Sequence, residues 1–538
     1  MVDSTGRRLD NFEVAPTDMV LGDARPVRGR FVASGDSITE VDSARASNSW
    51  GNSWATFAAL ASGGRLTHIY ACAKGGANTT TTRGLFESEV LAASKDHDLL
   101  IIADGTNDTD PMTQTLVNNQ AMIDAELRLG GRVILTEIPP AGSQAVGSPA
   151  DFTLVALPGY SGGTLPAGTY YYQITCRGTF GSSSPTVEKS VVLSATGAIQ
   201  INWTPKGGAT GYAIWGRATG NSKPLVWQNG PGTAQTTPQT QYIDLGAATT
   251  AATMPLVDAT ASTAPTSDVR TKIARVNAVK RHLSRVHGIP VIDQNALLAD
   301  WTIAGNRYKP NYSGDSTHPT FKTQRLMGVN IASKIAALYP LPDPELCKDS
   351  LDPLSLLPPI AAGSNLGTTG GLLLANSASM GTGVRPWSWS WYGPGAATGS
   401  TSLDTDSTVV GNVYTINRTS WDAALSDLSI TTGFMPGDLL YFAFKLKTTG
   451  LDAISGGVVA IGLKAIGSTG ATYVSAVTLS VDAPTSDLPG GWAVWRTEAR
   501  VPPGTTSLTA QFNVLGAGVS ASIAQLTVRN LSAQGLVP

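Results

Sequence analysis

The chain has 538 residues, a formal net charge of −2 and a charged fraction of only 14%, against an ordinary share of about 25%. Near-neutrality without a basic run excludes nucleic acid as an expected partner, and no apolar run approaches the roughly 20 residues of a membrane span. Disorder is excluded too: 42% hydrophobic residues and 12 Trp can build cores, and the length calls for roughly three or four domains.

The opening, Met1-Val2-Asp3-Ser4-Thr5, lacks the apolar centre of a signal peptide, so no export signal is expected. Residues 1–28 read as a polar arm or linker. Arg30 to Ser34 then reads as a strand, Trp50 to Ala61 has helical spacing, and Leu99 to Ala103 is a continuous apolar run suited to a strand buried on both faces. Thr113 to Leu129 is amphipathic and closed by Gly130-Gly131. A further strand, Arg132 to Glu137, ends at Pro139-Pro140. This alternation describes an open parallel α/β sheet. It stops, and resumes at Ser267 with a long helix through His287, a short strand Pro290-Val291-Ile292 and a closing helix from about Pro319 to Leu338. The α/β domain is therefore discontinuous, covering 29–140 and 265–340.

The interruption, 141–264, reads as all-β. Tyr170 to Thr175, Ile199 to Trp203 and Gly211 to Gly216 are short strands between Gly, Pro and Ser turns. With Trp203, Tyr212 and the closing Tyr242-Ile243-Asp244-Leu245-Gly246, this stretch resembles the fibronectin type III-like modules of bacteriophage tail proteins. It leaves the sheet at a strand's carboxyl end, the edge where open α/β sheets bind ligands, so the module is expected beside the cleft. Residues 341–360 read as a Pro-rich linker. Beyond it, 361–538 carries strands at Leu439–Leu446, Gly457–Lys464, Thr472–Val481, Trp492–Val501 and Ser507–Val514, a sandwich or jelly roll. From Leu373 to Trp391 and at its close this region resembles carbohydrate-binding modules. Trp387, Trp389 and Trp391 fall on one face of a strand, either as a platform for sugar rings or as core.

Four short motifs carry the chemistry: Gly35-Asp36-Ser37, Gly75-Gly76, Gly105-Thr106-Asn107-Asp108 and Asp315-Ser316-Thr317-His318. Acyl transfer by a serine needs a hydroxyl, an imidazole to take its proton, a carboxylate to orient the imidazole, and donors for the developing oxyanion. Gly35 allows a sharp exit from the strand that exposes Ser37. Asp315 and His318 are three apart, so one turn brings the carboxylate to the imidazole, and Pro319 suits the first position of the closing helix. Taken singly, each motif is also an ordinary turn or helix cap. Their joint order at strand ends sets them apart.

With these motifs in this order, the α/β part resembles the SGNH (GDSL-type) hydrolase family. The resemblance implies a flavodoxin-like three-layer α/β/α fold and ester hydrolysis without a metal or other cofactor. It also implies Ser37 as nucleophile, Asp315 and His318 completing the triad, and an oxyanion hole of Ser37 N–H, Gly76 N–H and the Asn107 amide, with Gly75 as the alternative to Gly76. The sequence departs from the family upstream of the second motif, where it reads Ala71-Cys72-Ala73-Lys74.

Other signals are weaker. Gly159-Tyr160-Ser161-Gly162-Gly163 matches a nucleophile elbow but lacks the helix that must follow, so Ser161 reads as a loop residue. His68, His97, His282 and His287 have no metal-ligand company. Cys72, Cys176 and Cys347 form neither a disulfide framework nor a metal pattern and read as free thiols.

The expected activity is that of a carbohydrate O-acetyl esterase acting on bacterial capsule or O-antigen from a phage tail, located on the virion or outside the cell. Residues 1–28 would attach it to other tail proteins, and a homotrimer fits that setting although no coiled-coil heptads show. Two alternatives stay open: a secreted esterase acting on acetylxylan or lipid esters, and a catalytically silent glycan-binding tail protein.

Overall fold

The structure is a computed structural model. It describes residues 28–40, 53–142, 145–149, 151–178, 181–204, 206, 209–229, 240–261, 267–300, 307–310, 312–313, 315–340, 346, 378–380, 383–385, 390–392, 397–418, 424–450, 457–468, 470–480 and 491–533. The arm up to residue 27, nearly all of the linker, Cys347, Trp387 and Trp389 lie outside the described residues.

In chain order the first part runs β1 (Arg30–Gly35), α1 (Ser37–Glu40), α2 (Trp54–Ala61), β2 (Thr67–Ala73), α3 (Thr79–Leu85), β3 (Leu99–Ala103), α4 (Gln114–Arg128) and β4 (Arg132–Thr136). Helix α2 starts later than its spacing predicts, because Ser53 caps it by accepting the Ala55 N–H at 3.0 Å. His68 lies within β2 with its ring stacked on Phe31 at 5.1 Å.

The insert follows as β5 (Phe152–Pro158), β6 (Gly168–Gly178), β7 (Gly181–Ser182), β8 (Lys189–Leu193), β9 (Gly197–Trp203), β10 (Gly211–Arg217), β11 (Leu225–Gln228) and β12 (Gln241–Asp244). One sheet holds β12, β9 and β5, and the other holds β11, β10 and β6 with β7 and β8. Between them Phe152, Tyr172, Ile174, Ile199, Ile201 and Trp203 form a buried core. Asp244 locks the sandwich from within, accepting the Tyr172 hydroxyl at 2.8 Å and Arg217 through two nitrogens at 2.6 and 2.8 Å. Ser161 sits in the exposed turn between β5 and β6. Cys72 and Cys176 are buried free thiols.

The chain then returns with α5 (Ser267–His287), β13 (Val291–Ile292), α6 (Gln294–Leu298) and α7 (Phe321–Ile335), the last continued by a 3-10 turn, Ala336–Leu338. Sequence placed Pro319 inside this final helix. Instead Thr320 occupies its N-cap and Pro319 bridges to Ser313.

The α/β sheet is five-stranded in the order β2-β1-β3-β4-β13, every neighbouring pair parallel. This is the flavodoxin-like doubly wound order. Alternation along the strands divides its side chains between two cores. Phe31, Ala33, Leu99 and Ile101 face α2 and α7. Val32, Leu100, Ile102 and Leu135 face α4 and α5, where Met122, Ile123, Val279 and Leu283 cover them. Gly35 pairs with both Ala73 and Ala103, so the three strands end level and the segments that follow emerge at one rim.

The C-terminal region is a sandwich of two five-stranded sheets. One runs Ser390–Tyr392, Ala424–Ile430, Thr505–Leu515, Val458–Gly467, Gly470–Ser480; the other Ala397–Leu403, Asn412–Arg418, Ser520–Asn530, Leu439–Thr449, Ala493–Arg500. Tyr414 and Phe512 meet edge-on across the two at 5.9 Å. The edge strand Ala493–Arg500 docks on the α/β domain: Thr497 Oγ1 donates to His68 O at 3.5 Å and Glu498 pairs with Arg30.

Candidate active site

The loop that carries Ser37 is built by close approach. A Cβ on Gly35 would stand 2.2 Å from Thr39 Oγ1 and 2.8 Å from Ala103 O, so glycine is required there for space; its φ is not in the left-handed region. Asp36 is fully buried and accepts the Ile38 N–H at 3.1 Å and the Thr106 N–H at 3.2 Å. It ties the first motif to the third. Gln324 of α7 donates to Ile38 O at 2.9 Å and accepts the Trp54 N–H at 2.9 Å, while the Trp54 indole donates to Thr39 Oγ1 at 3.2 Å. Ser37 thus heads a short helix held on three sides.

Ser37 Oγ lies 2.8 Å from His318 Nε2, and His318 Nδ1 lies 2.6 Å from Asp315 Oδ2. The other Asp315 oxygen accepts the backbone N–H groups of Thr317 at 2.9 Å and His318 at 2.7 Å. Burial pushes the Asp315 carboxyl up, but the backbone and ring of His318 and the backbone of Thr317 outweigh it and hold it below the ordinary carboxylate range. An ionised Asp315 fixes the proton on Nδ1 and leaves Nε2 free to accept from Ser37.

The second and third motifs are joined behind this line. Asp108, fully buried, accepts the Thr79 N–H at 2.8 Å, the Thr79 hydroxyl at 2.9 Å and the Thr115 hydroxyl at 2.5 Å. Asn118 donates to Thr79 and Thr80. Asn107 Nδ2 donates to Ala77 O at 3.1 Å, which leaves its second amide hydrogen to point elsewhere. Gly76 has φ +71, with nothing within 4 Å of a Cβ built on it, whereas a Cβ on Gly75 would meet Glu40 at 2.6 Å. The N–H of Gly76 therefore belongs to an open, left-handed turn beside the Asn107 loop.

Beneath the rim is a charge cluster that sequence reasoning missed. Lys280 of α5 is fully buried; its ammonium donates to Asp104 O at 2.6 Å and Thr136 O at 2.9 Å and lies 3.6 Å from Asp104 Oδ1. Burial pushes Lys280 down, opposed by the charges of Asp104, Asp36 and Asp108. Burial raises Asp36, and raises Asp104 to about 6, against the opposing charge of Lys280. At the neighbouring strand end Glu137 is buried and takes Arg281 Nε at 2.5 Å; burial carries it to about 7, with nearby Asp293 adding to the rise. Among the described residues no group of three or more His, Cys, Asp or Glu could hold a metal ion, and no helix is long and apolar enough to cross a membrane. Of the other histidines, His97 is buried with Nδ1 against Lys95 O at 2.7 Å and Nε2 against Glu126 at 3.0 Å.

No family model matches the chain, and no curated protein matches it. Solved structures do. The enzymatically active domain of tailspike protein 4 of bacteriophage CBA120 is 16% identical, with a TM-score of 0.22 over 32% of this chain; the match spans 23% of that chain. A lipase/acylhydrolase from Enterococcus faecalis is 13% identical, TM-score 0.29, over 58% of this chain and 98% of that one. A xylan-binding domain from Paenibacillus barcinonensis is 12% identical, TM-score 0.19, over 26% of this chain and 85% of that one. These are distant likenesses of fold.

Proposed function

We propose that the chain is a serine esterase of the SGNH type that removes O-acetyl groups from a bacterial surface polysaccharide, capsule or O-antigen, and that it works outside the cell as part of a phage tail. The observation that carries the esterase reading is the unbroken hydrogen-bonded line from Ser37 Oγ through His318 to Asp315. Ser37 attacks the acetyl carbonyl while His318 Nε2 takes its proton. The oxyanion collects the N–H groups of Ser37 and Gly76 and the Asn107 amide. His318 then protonates the departing sugar oxygen, leaving an acetyl-Ser37 ester. Water, deprotonated by the same nitrogen, releases acetate. Asp315 stays ionised and stabilises the imidazolium in both halves.

The polysaccharide part is supported by the surroundings of the site. Two β-sandwich modules accompany the α/β domain, and a net charge of −2 suits work on glycan rather than on nucleic acid. The test is acetate release from purified acetylated capsule and O-antigen, with acetylxylan and lipid esters alongside and Ser37→Ala as the control. Release from the bacterial glycans, lost in Ser37→Ala, supports the reading. Preference for xylan or lipid esters would replace the substrate class. Binding without release in the wild type would leave a silent glycan-binding protein.

A further inference from the structure

The loop that carries Asp315 and His318 is held by its carbonyls. Ser316 sits at φ +75, a left-handed conformation that a non-glycine residue adopts at a cost and keeps only where its surroundings enforce it. Three consecutive carbonyls are tied to three different donors. The Gly142 N–H donates to Ser316 O at 2.8 Å, the Tyr308 hydroxyl to Thr317 O at 3.0 Å and the Ser313 hydroxyl to His318 O at 2.9 Å. The donors are themselves linked, since the Tyr308 N–H donates to Gly142 O at 2.8 Å. Gly142 lies in the stem that leads from β4 into the insert, so the insert leaves the α/β domain beside the loop that carries Asp315 and His318.

Tyr308 is fully buried, and its ring adds to the core beneath the sheet. Burial, with the charges of Asp315 and Asp36, pushes its phenol well above the ordinary range. The hydroxyl therefore remains a donor at every working pH, and its acceptor is the carbonyl directly before His318. We infer that Tyr308 is a positioning residue: through Thr317 O it holds the strained loop so that the imidazole reaches Ser37 and Asp315 together, with Ser313 doing the same from the far side of His318. The inference rests on the esterase reading for its kinetic test, but not for its spectroscopic one.

Tyr308→Phe keeps the ring and removes only the donor. On a small acetyl ester it should lower kcat about tenfold while KM moves less than twofold, the pattern of a misaligned catalytic group. Ser313→Ala should do the same independently, which keeps the question open to test if Tyr308→Phe fails to fold. The downfield proton resonance of His318 Nδ1, identified by its loss in His318→Asn, should shift or broaden in both variants. That reading needs no substrate and distinguishes failure of the inference from failure of the proposed activity. Unchanged kcat with an unchanged resonance overturns the assignment. A raised KM at constant kcat overturns it too, because that would mark a substrate-binding role.

Discussion

Arg30 and Glu498 join the α/β domain to the C-terminal sandwich: Nη2 of the first lies 2.6 Å from Oε2 of the second, and Nη1 pairs with Oε1. Arg30 opens β1 and Ser37 lies two residues beyond its far end, so the contact with the C-terminal sandwich is separated from Ser37 by the full length of the strand, about 17 Å. The sandwich is fastened to the amino ends of the strands, away from the rim that carries the triad.

Arg30→Ala takes from Glu498, only 10% exposed, the guanidinium that meets both its oxygens. The docking should weaken by about 1–3 kcal/mol, read in calorimetry as an earlier transition for the C-terminal sandwich. Hydrolysis of a small ester should not change.

At the triad, Asp315→Asn keeps shape but withdraws the acceptor that fixes the His318 tautomer; kcat should fall by about 10³–10⁴-fold. Asn107→Ala should cost about 100- to 1,000-fold in turnover with the fold intact, the usual loss for one oxyanion donor. A loss below tenfold in single-turnover acylation would remove Asn107 from that role.

Lys280→Met leaves Asp104 and Asp36 buried without a compensating cation and strips Asp104 O and Thr136 O of their donor. Breaking a buried ionic group in this way should destabilise the α/β domain by about 3–5 kcal/mol, read as a lowered calorimetric midpoint.

Glu137 gives a pH signature. Its carboxyl goes from an ordinary value of 4.5 to about 7 in the fold, so the folded state prefers the protonated form. The associated stability is complete below pH 4.5 and is lost as pH rises to about 7. Glu137→Gln should flatten this part of the stability profile in denaturant titrations at stepped pH. An identical slope in wild type and variant would refute the shift.

Much of this was legible locally. Arg30 to Ser34 and Arg132 to Glu137 read as strands, the apolar run of β3 as a strand buried on both faces, and the amphipathic Thr113 to Leu129 as the helix that is α4, while Ser267 to His287 matches α5 at both ends. Helix α3 was not legible, because Thr79 to Thr82 is a β-branched run with poor helix propensity. It forms because Asn78 caps Thr81 at 3.0 Å and Asp108, 29 positions on, takes the N–H and hydroxyl of Thr79. Lys280 looks like any lysine on a charged helix until the sheet places two strand-end carbonyls over it. Gln324 acts through backbone atoms of segments about 270–290 positions away, and Tyr308 through a carbonyl nine positions on, pairings that composition and spacing do not encode. Gly35 was read as a turn glycine, whereas crowding by Thr39 and Ala103 is what excludes a side chain there.

The splice of the insert between β4 and α5 has a consequence for synthesis. Ser37 and His318 are separated by 281 positions, so at about 5–20 residues per second the ribosome delivers His318 roughly 15–55 s after Ser37. In that interval β1 to β4 wait without α5 and α7, their apolar faces half covered, while the insert has its own core and can fold first. A nascent chain cut short before α7 carries the serine and never gains the helix that closes its site.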